Sequence, residues 1–253
     1  MCSSDLTLES ILGREKLVDP SRVALIGYSM GGYGVLTAAG ALLDPTSPLM
    51  KMVPGGLLLR YTRGGGRAGD VLVKGLRAVV ALAPAGGGSW AAWGSEGLRG
   101  INTPLLIIAG DADRTVDYAT GARAIFDQAT GADRYLLTYK GCGHSIGLNP
   151  APDSMRSRLW DQDWFEDPVW RKDRVNAIGA HFITAFLDRF VKGEVSRDAY
   201  LNVPVAESAT GVWPTPNPYP YDAYSPGTNG VSVWKGFQRN HAAGLTLLQA
   251  KAK

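Results

Sequence analysis

The sequence predicts an α/β protein, a three-layer α/β/α sandwich built on a mainly parallel sheet. Four short apolar runs are rich in β-branched residues and are bounded by turn signals, which is typical of buried strands. Helical patterns separate the runs, and strands that alternate with helices form βαβ units with parallel strands. The predicted strands cover residues 22–28, 77–83, 104–109 and 134–139.

The segments around these strands differ in regularity. Helices are predicted over residues 30–43, 118–130 and 172–192, and residues 7–15 are predicted to end a helix. The signal over 172–192 is the strongest, because apolar residues recur there at helical spacing: Val175, Ile178, Phe182, Phe186 and Phe190.

Prolines and glycines mark the irregular parts of the chain. Residues 44–75 are predicted to form an irregular excursion, and residues 149–170 a loop or short lid. We expect a first domain over residues 1–195 and an irregular extension over residues 196–253 that packs on it.

Composition excludes several classes of protein. Hydrophobic residues make up 45% of the chain and charged residues 19%, which is ordinary for a soluble globular protein. The net charge of +3 is too small to indicate nucleic-acid binding. No apolar stretch reaches the roughly 20 residues of a membrane span. The two cysteines indicate no disulfide framework and no metal site. A cytoplasmic and an exported location both stay open.

Two segments match the pattern Gly-x-Ser-x-Gly, one centred on Ser29 and one on Ser145. A nucleophilic serine of this type stands on a sharp turn between a strand and a helix. Only Ser29 is preceded by a predicted strand and followed by a predicted helix. We expect the glycines two before and two after it, Gly27 and Gly31, to be required because neighbouring backbone leaves no room for a Cβ.

A serine hydroxyl becomes a good nucleophile when a base takes its proton, and the chain has three histidines. His144 follows the fourth predicted strand, at the sheet edge where catalytic groups gather in α/β proteins. His181 is expected to be a partly buried helical residue with a structural hydrogen bond, and His241 lies in the tail. Cys142, two residues before His144, is interpreted as a small buried residue in preference to a nucleophile.

The carboxylate that orients the histidine should follow the third strand, where Asp111, Asp113 and Asp117 compete. Asp113 lies where the chain turns back over the sheet, and we predict that it accepts a hydrogen bond from the histidine. Asp111 is interpreted as a turn-stabilising residue and Asp117 as a helix cap. The chain order of the predicted triad is Ser29, Asp113, His144.

The segments GYSMGG, GDADRTV and GCGH resemble the α/β-hydrolase superfamily. The resemblance is closest to its dienelactone-hydrolase-like and platelet-activating-factor-acetylhydrolase-like serine esterases, and it covers residues 17–192. It implies that the Met30 N–H donates to an oxyanion. The loop that supplies a second donor in that family has no counterpart before Ser29. Dienelactone hydrolases proper have a cysteine where this chain has Ser29, which favours ordinary ester hydrolysis.

The resemblance also suggests substrate contacts. It implies an aromatic wall in the loop of residues 85–94, which carries Trp90 and Trp93, and we count Tyr28 among the substrate-binding residues. The alternative for the two tryptophans is packing beneath the lid. Trp160 and Trp164 are placed to cover the mouth of the site from the other side.

The expected function is hydrolysis of a small carboxylic ester through an acyl-enzyme intermediate, with no metal and no organic cofactor. One alternative is a serine exopeptidase of the prolyl-oligopeptidase type, which shares Gly-Gly-Tyr shortly after the nucleophile and would carry a β-propeller upstream. Another is a non-catalytic binding protein on the same fold, which the three filled triad positions disfavour. Membrane and nucleic-acid partners are not expected, and the oligomeric state stays open.

The sequence also predicts that the chain is an N-terminally truncated fragment of the hydrolase fold and is inactive as it stands. The sheets of the superfamily have more strands than the four predicted here, and the nucleophile follows a central strand. The first predicted strand is apolar throughout, as a covered central strand would be, yet it would lie at an edge. Residues 1–6 also match a translation of sequencing-adapter DNA. An unusually small or circularly permuted hydrolase is the alternative.

Overall fold

The computed structural model describes residues 18–213, 230–238 and 242–253. Within these ranges the chain forms a five-stranded sheet in the order β1-β2-β3-β4-β5. The first four strands are parallel, and β5 is antiparallel to β4. The strands are β1 (Val23–Tyr28), β2 (Leu76–Leu82), β3 (Leu105–Gly110), β4 (Arg134–Tyr139) and β5 (Leu245–Ala250). The predicted fold class, an α/β sandwich with a mainly parallel sheet, is confirmed.

Helices connect the strands and cover the sheet. A π-helical segment, Tyr118–Arg123, leads directly into the fourth α-helix, and short 3₁₀ turns occupy several loops. The α-helices are α1 (Met30–Ala38), α2 (Leu49–Met52), α3 (Gly94–Arg99), α4 (Ala124–Gln128), α5 (Leu159–Phe165), α6 (Lys172–Phe190) and α7 (Asp198–Leu201).

The sheet separates two hydrophobic cores because successive side chains of a strand point to opposite faces. In β3, Leu106 and Ile108 pack into the core under α6, whereas Leu105 and Ile107 pack into the core under α1, α3 and α4. All six residues of β3 are buried, which explains why its sequence is apolar without alternation.

Helix α6 has the predicted apolar stripe. Val175, Ile178, Phe182 and Phe186 are buried on it, and Phe190 packs partly buried against the same core. The helix ends at Phe190, and Gly193 follows with a φ of 80°, a left-handed conformation that suits glycine.

The C-terminal extension is more regular than predicted. Strand β5 adds to the sheet beside β4, with Leu247 opposite Leu137. Leu245 and Leu247 are buried on one face, while the residues between and after them are more exposed. The irregular character predicted for residues 196–253 is therefore wrong at its end, because pairing with β4 imposes a strand there. The division of the chain at residue 195 stays a prediction.

Other expectations have mixed outcomes. The helix predicted to end over residues 7–15, and His241, lie outside the described residues.

Strand β1 lies at one edge of the described sheet. Among the described strands it pairs with β2 alone, and its residue Ile26 is 53% exposed. No helix in the described part of the chain is both long enough and apolar enough to cross a membrane.

His181 lies on α6 within 5.5 Å, ring centroid to ring centroid, of three aromatic rings. The distances are 5.0 Å to Phe182, 5.4 Å to Tyr200 and 5.2 Å to Phe237. Its Nε2 atom is buried and has no hydrogen-bond partner among the described residues, so the predicted structural hydrogen bond is absent there. Burial lowers the pKa of His181 below its usual value of 6.5.

We expect this histidine to make the fold acid-sensitive. Below pH 6.5 the unfolded chain binds a proton at His181 more readily than the folded chain does, so stability is present above that pH and is lost as pH falls toward the folded pKa. When the pH falls from about 8 to about 5.5, the variant His181→Phe should lose less stability than the parent protein. Thermal melts of both proteins measure this loss, because each kcal/mol of stability shifts Tm by about 2–4 °C. An equal fall in the two proteins would contradict the prediction.

Candidate active site

Ser29 stands on a strained turn between β1 and α1. Its φ of 53° and ψ of −114° are rare for a residue with a Cβ. Backbone hydrogen bonds hold the turn on both sides. The Ser29 N–H donates to Leu82 O at 2.9 Å, and Ser29 O accepts from Tyr33 N at 3.1 Å and Ala85 N at 3.0 Å. The end of β2 thus fixes the turn and presents the hydroxyl at the carboxyl edge of the sheet.

The glycines around Ser29 are not equivalent. A Cβ on Gly27 would lie 2.1 Å from Gly31 O, and one on Gly32 would lie 2.8 Å from the Cα of Pro84. A Cβ on Gly31 would meet nothing within 4 Å. The expectation that Gly31 lacks room for a side chain is therefore wrong, because its Cβ position points away from the turn into open space.

This difference predicts opposite results for two alanine substitutions. Gly27→Ala forces a methyl group into the backbone of Gly31, which we expect to cost at least about 1–3 kcal/mol and to remove activity by displacing Ser29. Gly31→Ala should leave activity within a few-fold and should stabilise α1 by up to about 0.5–1 kcal/mol. Chemical denaturation and ester hydrolysis measure both effects. Similar losses in the two variants would contradict the packing described for this turn.

The structure brings Ser29, His144 and Asp113 into one hydrogen-bonded line. His144 Nε2 lies 3.0 Å from Ser29 Oγ, and His144 Nδ1 lies 2.7 Å from Asp113 Oδ2. The side chain of Asp113 is 1% exposed and that of His144 is 11% exposed. The other carboxylate oxygen, Asp113 Oδ1, accepts from the backbone N–H groups of Thr115 at 2.9 Å and Val116 at 3.2 Å. The carboxylate is therefore fixed on one side by backbone and faces the imidazole on the other.

The two competing aspartates have structural partners. Asp111 accepts at Oδ1 from the Gly141 N–H at 2.5 Å, which ties together the loops after β3 and β4. Asp117 caps the helical segment that follows it, with Oδ1 2.8 Å from the Thr120 nitrogen. The predicted cap is confirmed at Asp117. Asp111 is structural as expected, but it holds the loop after β4 and not its own turn.

The two competing nucleophiles do not face the imidazole Nε2. Ser145 is buried in a 3₁₀ turn, and its hydroxyl donates to Glu166 O at 3.2 Å. Cys142 is fully buried, and burial, reinforced by the negative charge of Asp167, raises the pKa of its thiol far above the usual value. Such a thiol stays protonated and is a poor nucleophile.

Three residues that sequence reasoning did not connect with the histidine hold its loop in place. The Tyr28 hydroxyl donates to His144 O at 2.8 Å, and the Lys172 ammonium donates to Ser145 O at 2.7 Å. Asp167 accepts at Oδ2 from the Gly143 N–H at 2.7 Å. Burial, helped by the nearby Asp113 carboxylate, raises the pKa of Tyr28 to about 12, so its hydroxyl remains a donor at neutral pH.

Asp167 links the lid to the histidine loop. Its Oδ1 accepts from the N–H groups of Val169 at 2.9 Å and Trp170 at 2.8 Å, while its Oδ2 holds Gly143. Burial opposes the charge, yet these hydrogen bonds keep the pKa of Asp167 below its usual value. The Asp-Pro dipeptide at 167–168 signals a local turn, but nothing in the sequence links it to a residue 24 positions earlier.

A cavity of about 260 Å³ opens beside His144. Tyr28 lines it, as do Trp160 and Trp164 from α5. The structure thus brings Tyr28 to the site and places the two tryptophans of the lid at its mouth.

Trp90 and Trp93 do not line this cavity. Trp93 is 2% exposed, stacks on Tyr33 with a centroid distance of 5.2 Å and donates to Thr37 Oγ1 at 3.1 Å. Trp90 packs partly buried against the same core. Trp93 is therefore taken up by the core under α1 and cannot form the predicted aromatic wall, whereas a substrate contact of the partly buried Trp90 stays a prediction.

Met30 begins α1, and its side chain is 54% exposed. The N–H groups of a helix's first turn lack intrahelical acceptors, so the Met30 N–H can donate to a ligand beside Ser29. In the described ranges no group of three or more His, Cys, Asp or Glu residues is placed to hold a metal ion.

Comparison with known proteins adds one finding. A family model described as the alpha/beta hydrolase family matches residues 3–155, more than half of the chain. The matched region contains Ser29, Asp113 and His144. No curated protein matches the chain.

Proposed function

Because the chain belongs to the alpha/beta hydrolase family, we propose that it is a serine hydrolase that cleaves small carboxylic esters through an acyl-enzyme intermediate. The observation that carries the proposal is the line of hydrogen bonds from Ser29 Oγ through His144 to Asp113, at 3.0 and 2.7 Å. This is the arrangement that nucleophilic catalysis by serine needs.

In the proposed first half-reaction, Ser29 Oγ attacks the ester carbonyl carbon while His144 Nε2 takes the hydroxyl proton. The carbonyl oxygen becomes an oxyanion, to which the Met30 N–H donates. The intermediate then expels the alcohol, which receives the proton from His144, and the acyl group stays on Ser29.

The second half-reaction reverses the roles. Water loses a proton to His144 Nε2 and attacks the acyl carbon, and Ser29 Oγ leaves with that proton. Asp113 accepts from His144 Nδ1–H throughout, so the imidazole keeps the tautomer in which Nε2 can accept. Tyr28, Asp167 and Lys172 position the loop that carries His144, through their hydrogen bonds to the backbone of residues 143–145.

Within the family we propose a place among the dienelactone-hydrolase-like and platelet-activating-factor-acetylhydrolase-like esterases. The motifs around Ser29, Asp113 and His144 support this assignment. A serine nucleophile, in place of the cysteine of dienelactone hydrolases proper, supports hydrolysis of ordinary esters. The cavity of about 260 Å³ suits a small acyl or alcohol group.

Labelling with a fluorophosphonate tests the proposal, with the protein expressed from its complete reading frame. We expect one covalent adduct, mapped by tandem mass spectrometry to Ser29, and turnover of short-chain p-nitrophenyl esters. A non-catalytic binding protein would give neither result. A serine exopeptidase would be labelled at Ser29 but would cleave dipeptide anilides in preference to esters. A folded protein that is neither labelled nor active would contradict the proposed function.

A further inference from the structure

The cavity beside His144 has an unusual combination of wall residues. Three carboxylates line it, from Asp163, Glu166 and Asp167, together with the indoles of Trp160 and Trp164. Among the described residues, no lysine or arginine lines it. The cavity beside His144 is therefore negatively charged and aromatic.

Lys172 does not line the cavity, although its charge acts on Glu166 and Asp167. It is 4% exposed, and its ammonium donates to Ser145 O at 2.7 Å. Asp163 and Glu166 form no ion pair with any described residue, and the Glu166 carboxylate accepts only a long hydrogen bond, 3.4 Å from Ala151 N. Asp167, by contrast, is occupied by backbone N–H groups. Two carboxylates thus remain available to a ligand.

The two indoles and the carboxylate of Asp163 share one helical face. Trp160, Asp163 and Trp164 are spaced i, i+3 and i+4 on α5, which places them side by side toward the cavity. Trp160 is 80% exposed and Trp164 is 58% exposed, although tryptophan is usually well buried. Indole faces attract cations, and they do so best when the cation carries apolar groups and is weakly hydrated. An alkylated ammonium group satisfies both the indoles and the carboxylates.

We propose that this cavity binds a substituted ammonium group, so that the preferred substrates are esters with a cationic alkylammonium part. This inference rests on the proposed function and adds the substrate class. The same charges disfavour an ester that also carries a free carboxylate, because that carboxylate would meet Asp163 and Glu166.

Two thioesters of matched shape test the charge preference. Acetylthiocholine carries a trimethylammonium group, and S-(3,3-dimethylbutyl) thioacetate has a neutral tert-butyl group in its place. We expect kcat/KM to be roughly tenfold higher for the cationic ester, and the ratio to fall with added salt. Asp163→Asn, Glu166→Gln and Trp164→Leu should each lower the ratio. Asp153→Asn is the matched control, since Asp153 is 95% exposed and lies outside the cavity lining.

The outcomes separate this inference from the proposed function. Hydrolysis of both thioesters with equal kcat/KM, or a preference that none of the three cavity variants lowers, would overturn the inference and leave the serine hydrolase standing. If Ser29 is labelled but neither thioester reacts, a second experiment measures how well two alcohols protect Ser29 against labelling. Choline should protect better than 3,3-dimethylbutan-1-ol. Equal protection by the two alcohols would overturn the inference. A folded protein without labelling would overturn both.

Discussion

Replacement of Ser29 by alanine is expected to lower kcat for a p-nitrophenyl ester by about 10⁶-fold and to abolish fluorophosphonate labelling. The reason is geometric, because Ser29 Oγ is the hydroxyl that lies 3.0 Å from His144 Nε2. Alanine can occupy the strained turn at φ 53° as serine does, so the variant should keep its fold. Circular dichroism and a thermal melt check the fold beside the rate measurement.

Ser145→Ala is the matched control, since Ser145 stands at the centre of the second Gly-x-Ser-x-Gly match. Its hydroxyl donates to Glu166 O, so its loss should cost about 0.5–1.5 kcal/mol of stability and only a few-fold in rate. An inactive Ser145→Ala beside an active Ser29→Ala would reverse the assignment of the nucleophile.

Four of the five described strands could be predicted from sequence because each is a short, mainly apolar run, which is typical of strands in a parallel sheet. The predicted ends lie within about one residue of those in the structure. Strand β5 was missed because only Leu245 and Leu247 of its six residues are buried. Its partner β4 lies far away in the chain, and no local pattern encodes that pairing.

The residues brought together at Ser29 were also predictable from local signals. Ser29 follows β1 directly, Asp113 lies three residues after β3 and His144 lies five residues after β4, so the topology of a parallel sheet carries them to the same edge. The chain order of the three residues and the turns that carry them were therefore sufficient to predict that the residues meet, without any knowledge of side-chain direction.

The wall of the cavity could not be predicted in this way. Whether Trp93 points into the core or into the site depends on its stacking with Tyr33, and Trp160 reaches the cavity through the face that α5 presents. Asp167 and Lys172 act on the histidine loop across 24 and 27 positions of the chain. Such contacts follow from tertiary packing, which a single sequence does not encode locally.

Replacement of Asp113 by asparagine is expected to lower kcat by about 10⁴-fold while the protein stays folded. Asp113 Oδ1 accepts from the N–H groups of Thr115 and Val116, and the oxygen of an asparagine amide can keep both hydrogen bonds. The amide NH₂ group then faces His144 Nδ1, where the carboxylate oxygen stood at 2.7 Å. A donor at that position requires Nδ1 to accept, so the proton moves to Nε2, and Nε2 can no longer take the proton of Ser29.

Asp111→Asn distinguishes this tautomer effect from a general loss of charge at the sheet edge. Asp111 contacts the Gly141 N–H and not the imidazole, and an asparagine oxygen can accept that bond, so the rate should stay within a few-fold of the parent. Steady-state rates with a p-nitrophenyl ester and thermal melts of both variants give the comparison. Full activity in Asp113→Asn would remove this residue from the proposed triad, and equal losses at positions 111 and 113 would leave either aspartate as the orienting acid.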